Sequence, residues 1–382
     1  MNNFVYYSPT KFIFGKDEEK NVGKYMKELD VKKVLVVYGG HSAEKSGLLD
    51  RVRTSLNESE VSFVELGGVQ PNPRYELALK GMEMVKKENI DMLLAVGGGS
   101  VADTAKCIAV GVYDDGDAWE DFYTGNKEIK KAMPVSCILT IAAAGSEGSN
   151  SSVITYKGDK EGINSDLIRP VFSILNPELT MTLPAYQTAC GVSDIFAHLV
   201  ERYFTNTKDV NLTDEMCEAL MRNIFKYGKV AVENPDDYNA RAQVMWTGTL
   251  AHNNICGCDR DQDWASHMIQ HRIGAKYDSA HGAGLATIYP AWMKFVYKHD
   301  VPRFVRFATK VMGVDNDVFH PEEVALEGIA RVKAYMSSIG LPTTLEELGV
   351  KEEDIPELAN FHCGGFVPLG PDEIKQIYEL AK

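Results

Sequence analysis

The sequence has no apolar run approaching the roughly 18 residues that a membrane-spanning helix needs, so no span is expected. Its first residues, MNNFVYYSPTKF, lack the basic stretch and following apolar stretch of a secretory signal. Positive charge is also short. Lys and Arg number 40 against 54 Asp and Glu, a net charge of −14. That balance argues against non-specific nucleic-acid binding and against an anionic membrane surface. It leaves room for an anionic small ligand, which needs only a local basic or helix-terminal site. Cysteine is sparse, odd in number and scattered, with seven at 107, 137, 190, 217, 256, 258 and 363. Such a set reads as reduced thiols in a cytoplasmic protein. Cys256 and Cys258 form a CxC pair, but no second Cys/His pair at zinc-finger spacing accompanies them. They read as two thiols at a helix end. There is no internal repeat, low-complexity tract or long linker.

What is present is a chain of 382 residues, 45% hydrophobic and 25% charged. That is enough for one large domain or two. The first part alternates between two patterns. KKVLVVYGG (32–40), VSFVEL (61–66), DMLLAVGGG (91–99), SCILTIA (136–142), NSSVITY (150–156) and RPVFSIL (169–175) read as strands. The segments between the first of them read as amphipathic helices. Continuous apolar strands separated by helices imply a parallel sheet covered on both faces. From about residue 178 every segment carries apolar residues at helical spacing, with no strand between. The expected division is an α/β dinucleotide-binding domain over 1–180 and an all-helical metal-binding domain over 181–382. Clefts between domains are favoured binding sites.

Three strand ends are rich in small residues: Gly39, Gly40, His41 and Ser42; Gly97, Gly98, Gly99 and Ser100; and TIAAAGSEGSN at 140–150. The second opens a helix, whose N-terminus attracts phosphate. It is neither GxGxxG nor a Walker A motif, and alone it equally fits a plain tight turn. Together the three suggest one extended ligand along the carboxyl edge of a sheet, where doubly wound sheets bind nucleotides.

In GVSDIFAHLVE (191–201), Asp194 and His198 sit four apart within an apolar run and share a helical face. A buried Asp is uncommon without a charged neighbour. A local Asp–His hydrogen bond would be one explanation. WASHMIQHRIGAKYDSAHGAG adds His267, His271 and His281, three of the nine histidines. One Asp with two or three His suits a divalent transition metal, Fe²⁺ or Zn²⁺, with positions left for an exogenous oxygen. Spacing alone leaves open whether His271 or His281 is the third histidine ligand.

The motifs VGGGSVADTAK, PNP at 71–73, T-x4-GSE at 140–147, GVSDIFAHLVE and the His267/His271/His281 cluster make the chain resemble the iron-containing (group III) alcohol dehydrogenases over nearly its whole length. Within that family it is similar to the NADPH-dependent butanol dehydrogenase and aldehyde reductase branch. The resemblance implies a Rossmann-like N-terminal half and a helical C-terminal half of the dehydroquinate synthase type, with the site in the cleft. It implies that Asp194, His198, His267 and His281 bind one metal, and that His271 lines the site beside the nicotinamide and relays protons. It implies cofactor contacts at Gly98, Gly99, Ser100, Asp103, Thr140, Ser149 and Lys160, a nucleotide wall at Leu179 and Thr182, and Asn72 near the adenosine end.

The expected activity is interconversion of primary alcohols and aldehydes, with the metal as Lewis acid and the nicotinamide as hydride carrier. A polyol or glycerol-type dehydrogenase is the alternative, and a homodimer is expected. Glycerol-1-phosphate dehydrogenases and dehydroquinate synthases share the architecture but need a polar, phosphate-binding pocket. Here DWASHMIQHRIG and YPAWMKFVY are aromatic and apolar, with Arg272 the only guanidinium close in sequence. A non-enzymatic binding protein would not need His271. NADP(H) is expected over NAD(H), because no acid follows the first internal strand until Glu44, while His41 and Lys45 add positive charge. Ser42 near a helix N-terminus favours an anion there. Two departures from the family stand out. Ala144 replaces the usual Thr before GSE, which removes a hydroxyl and predicts weaker cofactor binding. The C-terminal FHCGGFVPLGPDE matches no family element and reads as a cap on the helical domain.

Overall fold

A computed structural model describes all 382 residues. Six parallel strands form one sheet in the order β1-β8-β5-β4-β2-β3. They are β1 (Lys11–Phe14), β2 (Lys33–Tyr38), β3 (Ser62–Leu66), β4 (Met92–Gly97), β5 (Val135–Leu139) and β8 (Phe172–Leu175). Their unbroken apolar runs arise because both faces are covered. On β2, Leu35 and Val37 enter one core cluster while Val34 and Val36 enter another. On β4, Leu93 and Ala95 take the first side and Met92, Leu94 and Val96 the second. Each fully buried Val, Leu or Ile contributes roughly 1.5–3 kcal/mol. The helices α1 (Val22–Glu28), α2 (Ser42–Lys45), α3 (Leu48–Glu58), α4 (Tyr75–Glu88) and α5 (Gly99–Gly111) complete this part. Residues of α4 and α5 fill the first cluster, and residues of α1, α2 and α3 fill the second.

One strand expectation fails in its placement. Residues 150–156 were expected in the parallel sheet. Instead β6 (Ser151–Tyr156) pairs antiparallel with β7 (Asp159–Asn164) in a separate two-stranded hairpin. β6 is not buried throughout, and its partner DKEGIN is mostly exposed. The polar β7 and the short β1 carry little signal in the sequence.

The rest is helical: α6 (Ala185–Tyr203), α7 (Asn211–Glu233), α8 (Tyr238–His252), α9 (Ala265–Tyr277), α10 (His281–Val296), α11 (Val301–Lys310), α12 (Pro321–Ser338), α13 (Leu345–Leu348), α14 (Ile355–Leu358) and α15 (Pro371–Leu380). Asp237 and Asp300 cap α8 and α11 by accepting backbone N–H groups. No helix is long and apolar enough to cross a membrane. Two compact units result, Tyr7–Thr182 and Leu183–Lys382, the latter joined by Met1–Tyr6.

Candidate functional site

The helical unit gathers its histidines around one carboxylate oxygen. Asp194 Oδ1 lies 3.5 Å from a ring nitrogen of His198, 3.8 Å from Nε2 of His267 and 3.6 Å from Nε2 of His281. These separations are long for hydrogen bonds. They match the edges of a tetrahedral shell, since metal bonds of about 2.0–2.2 Å put neighbouring ligands roughly 3.4 Å apart. Asp194 Oδ1, His198 Nδ1 and His267 Nε2 are all buried without a hydrogen-bond partner. Buried polar atoms are nearly always paired, so this donor set fits a cation that the four side chains would share. The ligand atoms of Asp194, His267 and His281 all lie within 4.8 Å of one another. His281 alone is partly exposed, at 25% of its side chain, so the cluster opens on that side. The ring of His271 lies 6.4 Å from that of His267 and 5.5 Å from that of His281.

Three helices build this arrangement. α6 places Asp194 and His198 one turn apart on a buried face. α9 supplies His267 and α10 begins at His281. Gly282 lets α10 press against α6, because a Cβ there would lie 2.0 Å from the Cys190 carbonyl oxygen. The sequence motif HGAG is thus a close-approach device that begins at His281.

Two residues that sequence reasoning did not single out orient the imidazoles. Glu201 is completely buried, and its Oε1 accepts from Nδ1 of His267 at 2.7 Å. The same carboxylate accepts the backbone N–H groups of Trp264 and His267. Gln270 Oε1 bonds Nδ1 of His281. Each bond fixes a tautomer that leaves Nε2 free for a metal. Glu201 closes the GVSDIFAHLVE stretch, seven residues after Asp194 and so on the same face of α6. That periodicity was the available signal. At His267, burial disfavours the charged ring, but the Asp194 and Glu201 carboxylates outweigh it and raise the pKa. At His198, burial holds the pKa well below the ordinary value, and the neighbouring histidines and Arg202 add to that.

Trp264 packs edge-on to His198 and His267, at 6.0 and 5.0 Å between ring centroids. Its φ of 67° lies in the left-handed region that a bulky residue adopts only under constraint. The constraint is the Glu201 bond to its N–H. Arg202 covers the ring and donates to the His198 carbonyl. Burial lowers the Arg202 pKa to about 10. Arg272 stacks on Phe361. YPAWMKFVY differs from expectation. Tyr289, Trp292 and Met293 are core residues at 1% exposure or less, part of the packing of α10. FHCGGFVPLG is tied down beside the site, since Asp263 Oδ1 accepts the N–H groups of Gly365 and Phe366, both at 2.8 Å. Burial pushes the Asp263 pKa up to about 7.

In the α/β unit the small-residue turns follow the carboxyl ends of β2, β4 and β5, which are neighbours in the sheet. The chain reverses between β2 and β4, since β3 lies on the other side of β2. Doubly wound sheets bind ligands at that switch point. Gly98 is required by packing, because a Cβ there would lie 2.1 Å from Ile141 Cγ2. Thr140 N donates to Gly97 O, and Ala144 faces Gly99. Lys106, fully buried, donates to the carbonyls of Ser146, Ser149 and Ser151 and to two of their hydroxyls. Asp103 accepts from Ser146 Oγ and Val153 N. Lys160 bonds Asn72 across 3.0 Å. Leu179 packs on the second core cluster, and Thr182 is exposed. Gly40, His41 and Ser42 are exposed, and nothing lies within 4 Å of a Cβ built at Gly40. The helix expected at Ser42 is only the four-residue α2, with no side-chain cap, so its dipole adds little. Glu44 is held by Arg53, as is Glu65.

Comparison with known proteins gives two adjoining family matches. Residues 9–177 match the model described as iron-containing alcohol dehydrogenase, and residues 188–381 match the C-terminal part of the Fe-containing alcohol dehydrogenase family. The chain is 38% identical to NADH-dependent butanol dehydrogenase A of Clostridium acetobutylicum, over 99% of each chain. It is 36% identical to the NADPH-dependent aldehyde reductase YqhD of Escherichia coli, over 100% of each. Among solved structures, NADH-dependent butanol dehydrogenase A from Thermotoga maritima superposes with a TM-score of 0.96 at 37% identity, covering 100% of this chain and 99% of that one.

Proposed function

The chain belongs to the iron-containing alcohol dehydrogenase family, and from that premise we propose that it interconverts primary alcohols and aldehydes with NADP(H) at a divalent metal held by Asp194, His198, His267 and His281. The observation that carries this reading is the convergence of three imidazole rings on one unpartnered carboxylate oxygen. A divalent metal there, Fe²⁺ or Zn²⁺, supplies Lewis-acid polarisation of the substrate oxygen. Asp194 offsets the positive charge. Glu201 and Gln270 hold His267 and His281 in the ligating tautomer. His271, close to the ligands but outside their shell, holds the proton that the nascent alkoxide takes up in the reductive direction. Trp264 keeps water from one side.

The substrate is a short or medium unbranched aldehyde without a phosphate or carboxylate. Arg202 is buried over the Trp264 ring, and Arg272 lies over that of Phe361. The cofactor contacts are those of the three turns, including Gly97, Gly98, Gly99, Ser100, Thr140 and Ser149, with Asp103, Lys160, Asn72, Leu179 and Thr182 completing the surface. NADP(H) is favoured by open space at Gly40 and by the engagement of Glu44 with Arg53. Relatives named for NADH and for NADPH are about equally similar to this chain, so the test is direct. Initial rates on metal-analysed protein, across an aldehyde panel with both cofactors, should give the higher kcat/KM with NADPH. Gly40→Asp should then lower the NADPH/NADH ratio by roughly tenfold or more through repulsion of the 2′-phosphate. A wild-type preference for NADH, or an unchanged ratio in the variant, rejects the cofactor assignment. A preference for phosphorylated substrates rejects the substrate class. A homodimer is part of the proposal, supported by the exposed Phe4, Val5, Tyr6 and Tyr7.

A further inference from the structure

Two of the three histidines at the centre are steered by a hydrogen bond from their second ring nitrogen, His267 to Glu201 and His281 to Gln270. Metal-binding histidines are ordinarily held this way. His198 turns its buried, unpartnered Nδ1 toward Asp194 Oδ1. What touches that ring is another ring. His252 lies against its face, with centroids 4.0 Å apart and planes tilted by 32°. Trp264 meets it edge-on and also lies 5.7 Å from His252.

We propose that His252 is a positioning residue for the metal centre, fixing the ring plane of His198 by face contact. The proposal rests on the metal centre proposed above. His252 is well placed for the task. It is the last residue of α8, a helix packed against both α6 and α7. The buried Asn253 follows and accepts the N–H of Ile255, which ends the helix at a fixed point. A ring anchored on a packed helix end restricts the rotation of its neighbour about χ2. Ligand geometry at a metal site depends on such locked rotamers.

The role depends on the flat face and not on the nitrogens of His252, and that distinction makes it testable. Metal-stripped protein is reloaded with Co²⁺. The visible d–d absorption and the Co²⁺ affinity, by chelator competition, are read for wild type, His252→Phe, His252→Leu and His252→Ala. His252→Phe should keep the wild-type spectrum and an affinity within about twofold. His252→Leu fills the space without a flat face. It and His252→Ala should alter the band shape and lose on the order of tenfold in affinity, the range for removal of a residue that orients a metal ligand. If His252→Phe loses the metal as badly as His252→Ala, a nitrogen is needed and the stacking role is wrong. If all three variants bind and absorb like wild type, His252 merely packs. His252→Leu keeps the comparison readable should His252→Ala fail to fold. Failure of wild-type protein to bind Co²⁺ would instead overturn the metal centre itself.

Discussion

The two units build their sites from opposite materials. The helical unit uses side chains: one carboxylate and three imidazoles from three helices, meeting at one oxygen atom. The α/β unit uses backbone and small residues: three turns at the ends of three adjacent strands, with most side chains withdrawn. The first kind of site is hurt by taking atoms away. The second is hurt by adding them, because its shape is the space that glycine and alanine leave. Each unit also hides a charged residue behind its site. Glu201 stands behind His267, and Lys106 stands behind the loop at 146–151.

Replacements test that contrast in descending order of effect. His267→Ala removes a ligand and should abolish stable metal binding, with turnover falling by roughly 10³-fold or more as the Lewis acid is lost. Full metal content at a normal rate would break the side-chain half of the comparison. His271→Ala should retain the metal and lose roughly 10²-fold in kcat, the scale of proton-transfer assistance. Loss of metal there would mean that His271, and not His281, completes the shell. Glu201→Gln should weaken metal binding about 10–100-fold, because an amide cannot accept both the ring N–H of His267 and the backbone N–H of Trp264. Elemental analysis after dialysis at graded chelator concentrations reads this out. Gly98→Ala adds one methyl group against Ile141 and costs about 1–3 kcal/mol of packing strain. It should raise the dissociation constant for NADPH, followed by quenching of protein fluorescence, while metal content stays at the wild-type level. A simultaneous loss of metal would show that the two sites are not separately built.

The same contrast explains what was legible in the sequence. Side-chain chemistry at helical spacing announces itself, so Asp194, His198 and the three later histidines stood out from residue type and period alone. Glu201 and Gln270 did not, because a Glu or Gln within a helix is ordinary until the structure shows it buried against an imidazole. Buried strands were legible where both faces are covered, as on β2 and β4, but apolar content could not tell β6 from a member of the main sheet. Its partner β7 is polar because it faces solvent, and polar strands resemble loops. YPAWMKFVY was misread for the converse reason. Aromatic residues near a ligand in sequence serve the core as readily as a pocket, and only packing separates the two.

The helical unit has one further peculiarity, in that its N-terminal piece is Met1–Tyr6. Asn2 donates its backbone N–H to the carbonyl of Asp259, and its side chain reaches Thr207 and Asp261. Chains are synthesised from the N-terminus at about 5–20 residues per second. Asn2 therefore waits for a partner made roughly 13–50 seconds later. During that interval Tyr7–Thr182 can fold as a unit before Asn2 has its partners. Seating of Asn2 is thus a late event in the birth of the molecule.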